Sequence, residues 1–126
     1  MTNEEDILSK DGTRLHVRTW LPVGTPRAVV VIVHGLKAHS GLYEWPASEM
    51  ASAGFAVYAL DLRGHGKSDG ERLYAAKTSE YVDDVRATVK LAKMRHTKPI
   101  FMLGHSAGGV IACAYALEDQ RDLAGL

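Results

Sequence analysis

The chain has 126 residues, of which 46% are hydrophobic and 24% are charged, with 15 basic and 15 acidic side chains. This composition is typical of a globular domain, and a formal net charge of zero gives no electrostatic basis for binding nucleic acid. An acidic start, a single cysteine and the lack of any apolar run of about 18 residues favour a cytoplasmic protein without a signal peptide or membrane-spanning segment.

Strand and helix patterns alternate along the chain. An Asp11-Gly12 turn predicts an N-terminal hairpin, and buried strands and amphipathic helices then alternate. The predicted strands cover residues 6–9, 15–20, 28–33, 55–60 and 100–103, and the predicted helices cover 45–54, a stretch that begins at 78, and 108–118. This β-β-β-α-β-α-β-α series predicts an α/β fold, a mostly parallel sheet with helices on both faces, and no domain boundary.

Helical periodicity assigns Asp84 and Cys113 to opposite environments. In the helix that begins at Thr78, Asp84 falls with the charged residues on the side expected to face solvent. Cys113 lies in an apolar helix, so we expect it to pack in the core rather than act as a nucleophile.

The most informative motif lies between the last predicted strand and the last predicted helix. It reads Gly104-His105-Ser106-Ala107-Gly108-Gly109. A G-x-S-x-G pattern between a strand and a helix is the nucleophile elbow of serine hydrolases, with Ser106 as the candidate nucleophile. The N–H of Ala107, at the start of the helix, is a candidate oxyanion donor, and Gly104, His105 and Gly108 support the turn. A dinucleotide-binding loop would need glycine where Ser106 stands.

A second motif follows the β-branched run at 28–33 and reads His34-Gly35-Leu36. The loop after this strand supplies the other oxyanion donor in α/β-hydrolases, and we assign it to the Leu36 N–H. His34 and Gly35 are supporting residues. We interpret His34 as a structural histidine, because the catalytic base of this fold follows the serine in the chain.

A third segment, residues 61–70, follows the strand at 55–60 and is rich in glycine and charge. Asp61, His65 and Ser68 are spaced too closely, and too far ahead of the elbow, to form a triad with it. Turn and capping roles are the better interpretation. His34 and His39 also lack a metal-ligand pattern, so we expect no metal site.

The three motifs in this order resemble the monoacylglycerol lipase and lysophospholipase group of α/β-hydrolases. The similar stretches begin at His34-Gly35, at Arg63-Gly64 and at Gly104. The resemblance implies an esterase or lipase that acts on a single acyl chain without a cofactor. It implies Ser106 as nucleophile, with the N–H groups of Leu36 and Ala107 as oxyanion donors.

Chains of this fold are about twice as long, and no Asp or His follows Asp122 here. We therefore expect residues 1–126 to be the N-terminal part of a single α/β-hydrolase domain, with five strands and the elbow. A complementary C-terminal segment or chain would then carry the acid and the base. The alternative is a catalytically incomplete fragment that binds a ligand or partner. Thioesterase, peptidase and carboxylesterase chemistry share every motif quoted.

Overall fold

The eight main elements follow the predicted order in the computed structural model, which describes residues 2–126. The strands are β1 (Thr2–Leu8), β2 (Arg14–Trp20), β3 (Ala28–Val33), β4 (Phe55–Leu60) and β5 (Ile100–Gly104). The helices are α1 (Glu44–Ser52), α2 (Thr78–Arg95) and α3 (Ala107–Asp119), with short 3₁₀ turns at Ser40–Tyr43 and Gln120–Asp122. The predicted α/β series is confirmed.

The five strands form one mixed sheet in the order β1-β2-β4-β3-β5. The hairpin strands β1 and β2 pair antiparallel, as do β2 and β4, whereas β3 pairs parallel with both β4 and β5. Since β3, β4 and β5 are parallel, the loops that follow them all lie at the carboxyl ends of the strands. Ligands bind at this end of the sheet in open α/β folds.

Helices cover both faces of the sheet, because successive side chains of a strand point to opposite faces. Val29, Val31 and Val33 of β3 pack in a core with residues of α2 and α3. Val30 and Ile32 of the same strand pack in a second core with residues of α1. The continuous apolar run of β3 is therefore explained by burial on both sides.

The first strand begins earlier than predicted, at Thr2 instead of residue 6. Its acidic residues are satisfied by cross-strand contacts: Glu4 and Asp6 each lie within hydrogen-bond distance of the His16 ring on β2. The prediction missed this part of the strand because its charged sequence has no apolar alternation, and an edge strand needs none when ion pairs line it.

The prediction that Asp84 faces solvent is wrong. Asp84 is fully buried, and its carboxylate accepts hydrogen bonds from the Ser9 hydroxyl and the Arg63 guanidinium, each at 2.7 Å. Burial of this carboxylate is tolerated because Arg63, itself 6% exposed, neutralises its charge.

The prediction that Cys113 packs in the core is also wrong. Cys113 is exposed, on a side of α3 where Val110 and Leu117 are exposed as well. The residues of α3 that enter the core are Gly108, Ile111, Ala112 and Tyr115. An almost uniformly apolar helix carries no sequence signal for which side is buried.

Apolar side chains also remain exposed along β5. On one side β5 pairs with β3, and on the other, among residues 2–126, only Ala124 and Gly125 bond to it, at 2.7 and 3.1 Å. Phe101 and Leu103 are each 41% exposed. They line a groove of about 460 Å³ together with Cys113, Leu126 and other residues of β5 and α3, which we call the β5 groove.

Among the helices of residues 2–126, none combines the length and apolar character needed to cross a lipid bilayer.

Candidate active site

The turn between β5 and α3 holds Ser106 in a conformation that few residues other than glycine adopt. Its φ is 57° and its ψ is −124°, and its side chain is exposed. Hydrogen bonds on both sides fix the turn: the His105 N–H donates to the Val33 carbonyl at 3.1 Å, and the Gly109 N–H donates to the Ser106 carbonyl at 2.8 Å. Positive φ at a residue so constrained is typical of functional sites.

The glycines around Ser106 are required by close packing. A β-carbon on Gly108 would overlap the carbonyl oxygens of Val33 and His34. One on Gly104 would lie 2.6 Å from the Gly108 carbonyl oxygen and 2.7 Å from the Gly109 α-carbon. Gly104 and Gly108 therefore allow the strand and helix to meet at a turn this sharp.

The loop after β3 lies directly against Ser106. A β-carbon on Gly35 would be 3.2 Å from the Ser106 β-carbon and 3.2 Å from the His105 carbonyl oxygen. Leu36 follows Gly35, and Ala107, the first residue of α3, follows Ser106. The structure thus brings together the two segments that contain Leu36 and Ala107. The first N–H groups of a helix have no hydrogen-bond partner within the helix, so the Ala107 N–H is a candidate donor to a ligand.

His34 is buried behind this loop, and both of its ring nitrogens are occupied. Its Nε2 accepts a hydrogen bond from the Leu62 N–H at 3.0 Å, so the proton is on Nδ1, which donates to the Gly35 carbonyl at 2.7 Å. Burial lowers the pKa of His34 to about 4. A neutral histidine bonded on both sides holds the loop in place and is unavailable as a base for Ser106.

Asp61 and Ser68 hold the loop after β4. The Asp61 carboxylate accepts hydrogen bonds from the N–H groups of Ser40, at 2.6 Å, and Lys67, at 2.9 Å. Burial raises the pKa of Asp61, but these hydrogen bonds outweigh burial and the net pKa is lowered. The Ser68 hydroxyl accepts from the His16 N–H at 2.8 Å. These are the turn and capping roles expected from the sequence.

Two contacts near the site carry no sequence signal. The Arg63 N–H and guanidinium both bond to Asp84, which fastens the loop after β4 to α2. The Tyr43 hydroxyl lies 3.2 Å from Nδ1 of His105, the residue before the nucleophile, and their rings meet edge to face with centroids 6.4 Å apart. The partners in these pairs are 21 and 62 residues apart, which is beyond any local pattern.

The arrangement contains a candidate nucleophile, Ser106, and candidate oxyanion donors, but residues 2–126 provide no histidine bonded to Ser106. His34 is occupied on both nitrogens, and His105 faces Tyr43. Within the same residues, no three His, Cys, Asp or Glu side chains are grouped so that they could hold a metal ion.

Comparison with known proteins agrees with the fold and the motifs. The chain is 43% identical over 114 residues to the monoacylglycerol lipase of Mycolicibacterium smegmatis, covering 90% of this chain and 41% of the relative. It is 39% identical over 121 residues to human monoglyceride lipase, covering 95% and 40%. The chain therefore spans about two fifths of the length of these curated relatives.

Solved structures show the same architecture. A thermostable carboxyl esterase from Bacillus coagulans superimposes with a TM-score of 0.90 at 30% identity, covering 99% of this chain and 43% of the esterase chain. The α/β-hydrolase fold and the resemblance to the monoacylglycerol lipase group are thereby confirmed. The sequence profile of the family described as serine aminopeptidase, S33 matches residues 24–126. The chain belongs to this serine aminopeptidase S33 family of hydrolases.

Proposed function

We propose that this chain supplies the nucleophile and oxyanion hole of a serine ester hydrolase. The observation that carries the proposal is the position of Ser106, strained and exposed at the N-terminus of α3, with Gly35 packed against it. The helix N-terminus favours negative charge, so an oxyanion that forms beside Ser106 is stabilised there.

In the proposed reaction, Ser106 Oγ attacks the acyl carbonyl of an ester. The N–H groups of Leu36 and Ala107 bind the oxyanion. The Oγ–carbon bond forms, the ester carbon–oxygen bond breaks, and the serine proton passes through a histidine base to the leaving alcohol. Water then cleaves the acyl-enzyme and releases the acid.

The proposed substrate is a neutral ester of one acyl chain, such as a monoacylglycerol or a p-nitrophenyl ester. Support comes from the relatives named monoacylglycerol lipase and monoglyceride lipase, and from a Bacillus subtilis relative named phospholipase YtpA. A panel of substrates tests this choice: monoesters should be cleaved faster than triglycerides. Cleavage of peptides or phosphate esters, with carboxylic esters left intact, would reject it.

The acid and base of the triad are proposed to come from a complementary C-terminal segment or chain. The β5 groove supports this, because its exposed apolar residues lie beside the elbow and along an open sheet edge. Residues 1–126 are then the N-terminal part of one α/β-hydrolase domain. We assign the protein to the cytoplasm, since a single cysteine in 126 residues suits a reducing compartment.

A binding module that uses the same pocket is the second candidate. The observation that favours it is that Ser106 has no histidine partner within residues 2–126. A fluorophosphonate probe separates the two, because it reacts with an activated serine. The protein expressed from its complete gene should be labelled at Ser106, and labelling should be lost in Ser106→Ala. A wild type that stays unlabelled would favour the binding module.

A further inference from the structure

Tyr43 stands where two segments of the candidate site meet. It ends the 3₁₀ turn Ser40–Tyr43 and precedes α1, and its hydroxyl lies 3.2 Å from His105 Nδ1. Burial raises the pKa of Tyr43. Tyr43 thus joins the end of the segment that follows β3 to the elbow.

The loop that contains Leu36 is fixed at its two ends. At the first end, Gly35 is held by His34 and packs on Ser106. At the second end, the Ser40 N–H donates to Asp61 at 2.6 Å. Between these anchors the backbone passes through Lys37, with a φ of 64°, and Leu36 is 57% exposed.

The Tyr43–His105 contact closes a ring of structure around Ser106. The backbone connects Gly35 through Leu36 to Tyr43. The Tyr43 side chain contacts the His105 side chain, and the His105 and Ser106 backbone packs against Gly35. Without this contact the second end of the loop would still be joined to the loop after β4 through Asp61, but not to the elbow.

We propose that Tyr43 is a positioning residue, whose hydroxyl, bonded to His105, holds the Leu36 loop in register with the nucleophile elbow. This inference rests on the proposed esterase function. Oxyanion donors must be placed within a few tenths of an ångström to stabilise charge in the transition state, so loss of the contact acts on the chemical step.

The test uses the protein expressed from its complete gene and p-nitrophenyl butyrate as substrate. Tyr43→Phe removes only the hydroxyl, and Tyr74→Phe, at a 53% exposed tyrosine, is the matched control. We expect Tyr43→Phe to lower kcat about fivefold to tenfold, the effect of one hydrogen bond, with KM within about twofold. It should also weaken a trifluoromethyl ketone, which mimics the oxyanion, by a similar factor.

A double-mutant cycle with His105→Leu identifies the partner. If the two side chains act as one unit, the double variant should be no slower than the slower single variant. Should Tyr43→Phe fail to fold, His105→Leu removes the same hydrogen bond from the other side and should show the same loss of kcat and of ketone binding.

Additive losses, a change in KM alone, or a Tyr43→Phe variant as active as Tyr74→Phe would overturn the inference while leaving the esterase function intact. A wild-type protein that neither hydrolyses the ester nor reacts with a fluorophosphonate would reject the proposed function, and the inference with it.

Discussion

Ser106 combines two properties that a structural serine does not need. Its backbone is held at positive φ, and its side chain is exposed at a helix N-terminus. Backbone strain of this kind costs on the order of 1–3 kcal/mol and persists only where the surrounding structure enforces it. Here the packing of Gly108 and the hydrogen bond from the His105 N–H to β3 enforce it. The conformation of Ser106 therefore depends on the whole elbow and not on Ser106 alone.

Replacing Ser106, the proposed nucleophile, should greatly lower turnover with little effect on folding. In the protein expressed from its complete gene, Ser106→Ala should lower ester hydrolysis by on the order of a thousandfold or more, because only binding and the oxyanion hole remain. Cys113→Ala is the control and should stay active. Initial-rate kinetics measure both, and normal turnover by Ser106→Ala would remove Ser106 from the mechanism.

Gly108 and Gly109 are neighbours with opposite tolerance to a side chain. A β-carbon on Gly108 overlaps two carbonyl oxygens of the β3 end, whereas the nearest atom to one on Gly109 is 3.5 Å away. Gly108→Ala should therefore lose esterase activity and lower the melting temperature. Gly109→Ala should retain both, since alanine also favours the helix. Equal behaviour of the two variants in thermal melts and activity assays would contradict this packing.

His34 makes stability depend on pH. Its pKa is about 4 in the folded protein, against 6.5 when unfolded, so the unfolded state takes up a proton first as the pH falls. Its contribution is complete above about pH 6.5 and declines towards pH 4, by about 3 kcal/mol in all. Urea unfolding at pH 5 and pH 7 should show a smaller difference in His34→Gln than in wild type. Identical differences would show that His34 is not buried in its neutral form.

At the scale of elements, strands and helices with strong periodicity were predictable and polar burial was not. The runs that became β3 and β4 are apolar throughout, and their predicted and observed bounds agree. The elbow was predictable because its chemistry is local: glycines, a serine, and a strand and helix on either side. The sequence wrongly predicted that Asp84 faces solvent, because helical periodicity groups charged side chains on the exposed side of a helix. Its partner Arg63 lies in a loop that is distant in sequence, so no local pattern indicated the ion pair.

Asp83 and Asp84 are neighbours in α2 with opposite environments, so their variants should differ in stability. Asp84→Ala removes the buried partner of the Arg63 guanidinium, which then keeps its contact with the partly exposed Asp11, and should destabilise the protein by about 3 kcal/mol. Asp83 pairs with Arg86 near the surface, so Asp83→Ala should cost less than about 1 kcal/mol. Chemical unfolding measures both, and comparable losses would mean that the Arg63–Asp84 contact does not hold the loop.

At the scale of the whole molecule, the open edge of β5 leaves large apolar side chains exposed to water. Its apolar residues and the exposed side of α3 together form a surface that soluble monomers rarely leave uncovered. We expect residues 1–126, expressed alone, to aggregate or to lack esterase activity. Adding the complementary segment should restore solubility and esterase activity. Sedimentation and activity assays decide: a monodisperse, cooperatively folding and active monomer of residues 1–126 would refute this expectation.

The most direct test of the account is the mass of the enzyme during turnover. The protein expressed from its complete gene is mixed with p-nitrophenyl butyrate, quenched with acid within the first turnovers, digested and analysed by mass spectrometry. We expect a butyryl group on the peptide that contains Ser106, and no such adduct in Ser106→Ala. Hydrolysis without that adduct, or with the acyl group on another residue such as Cys113, would contradict it.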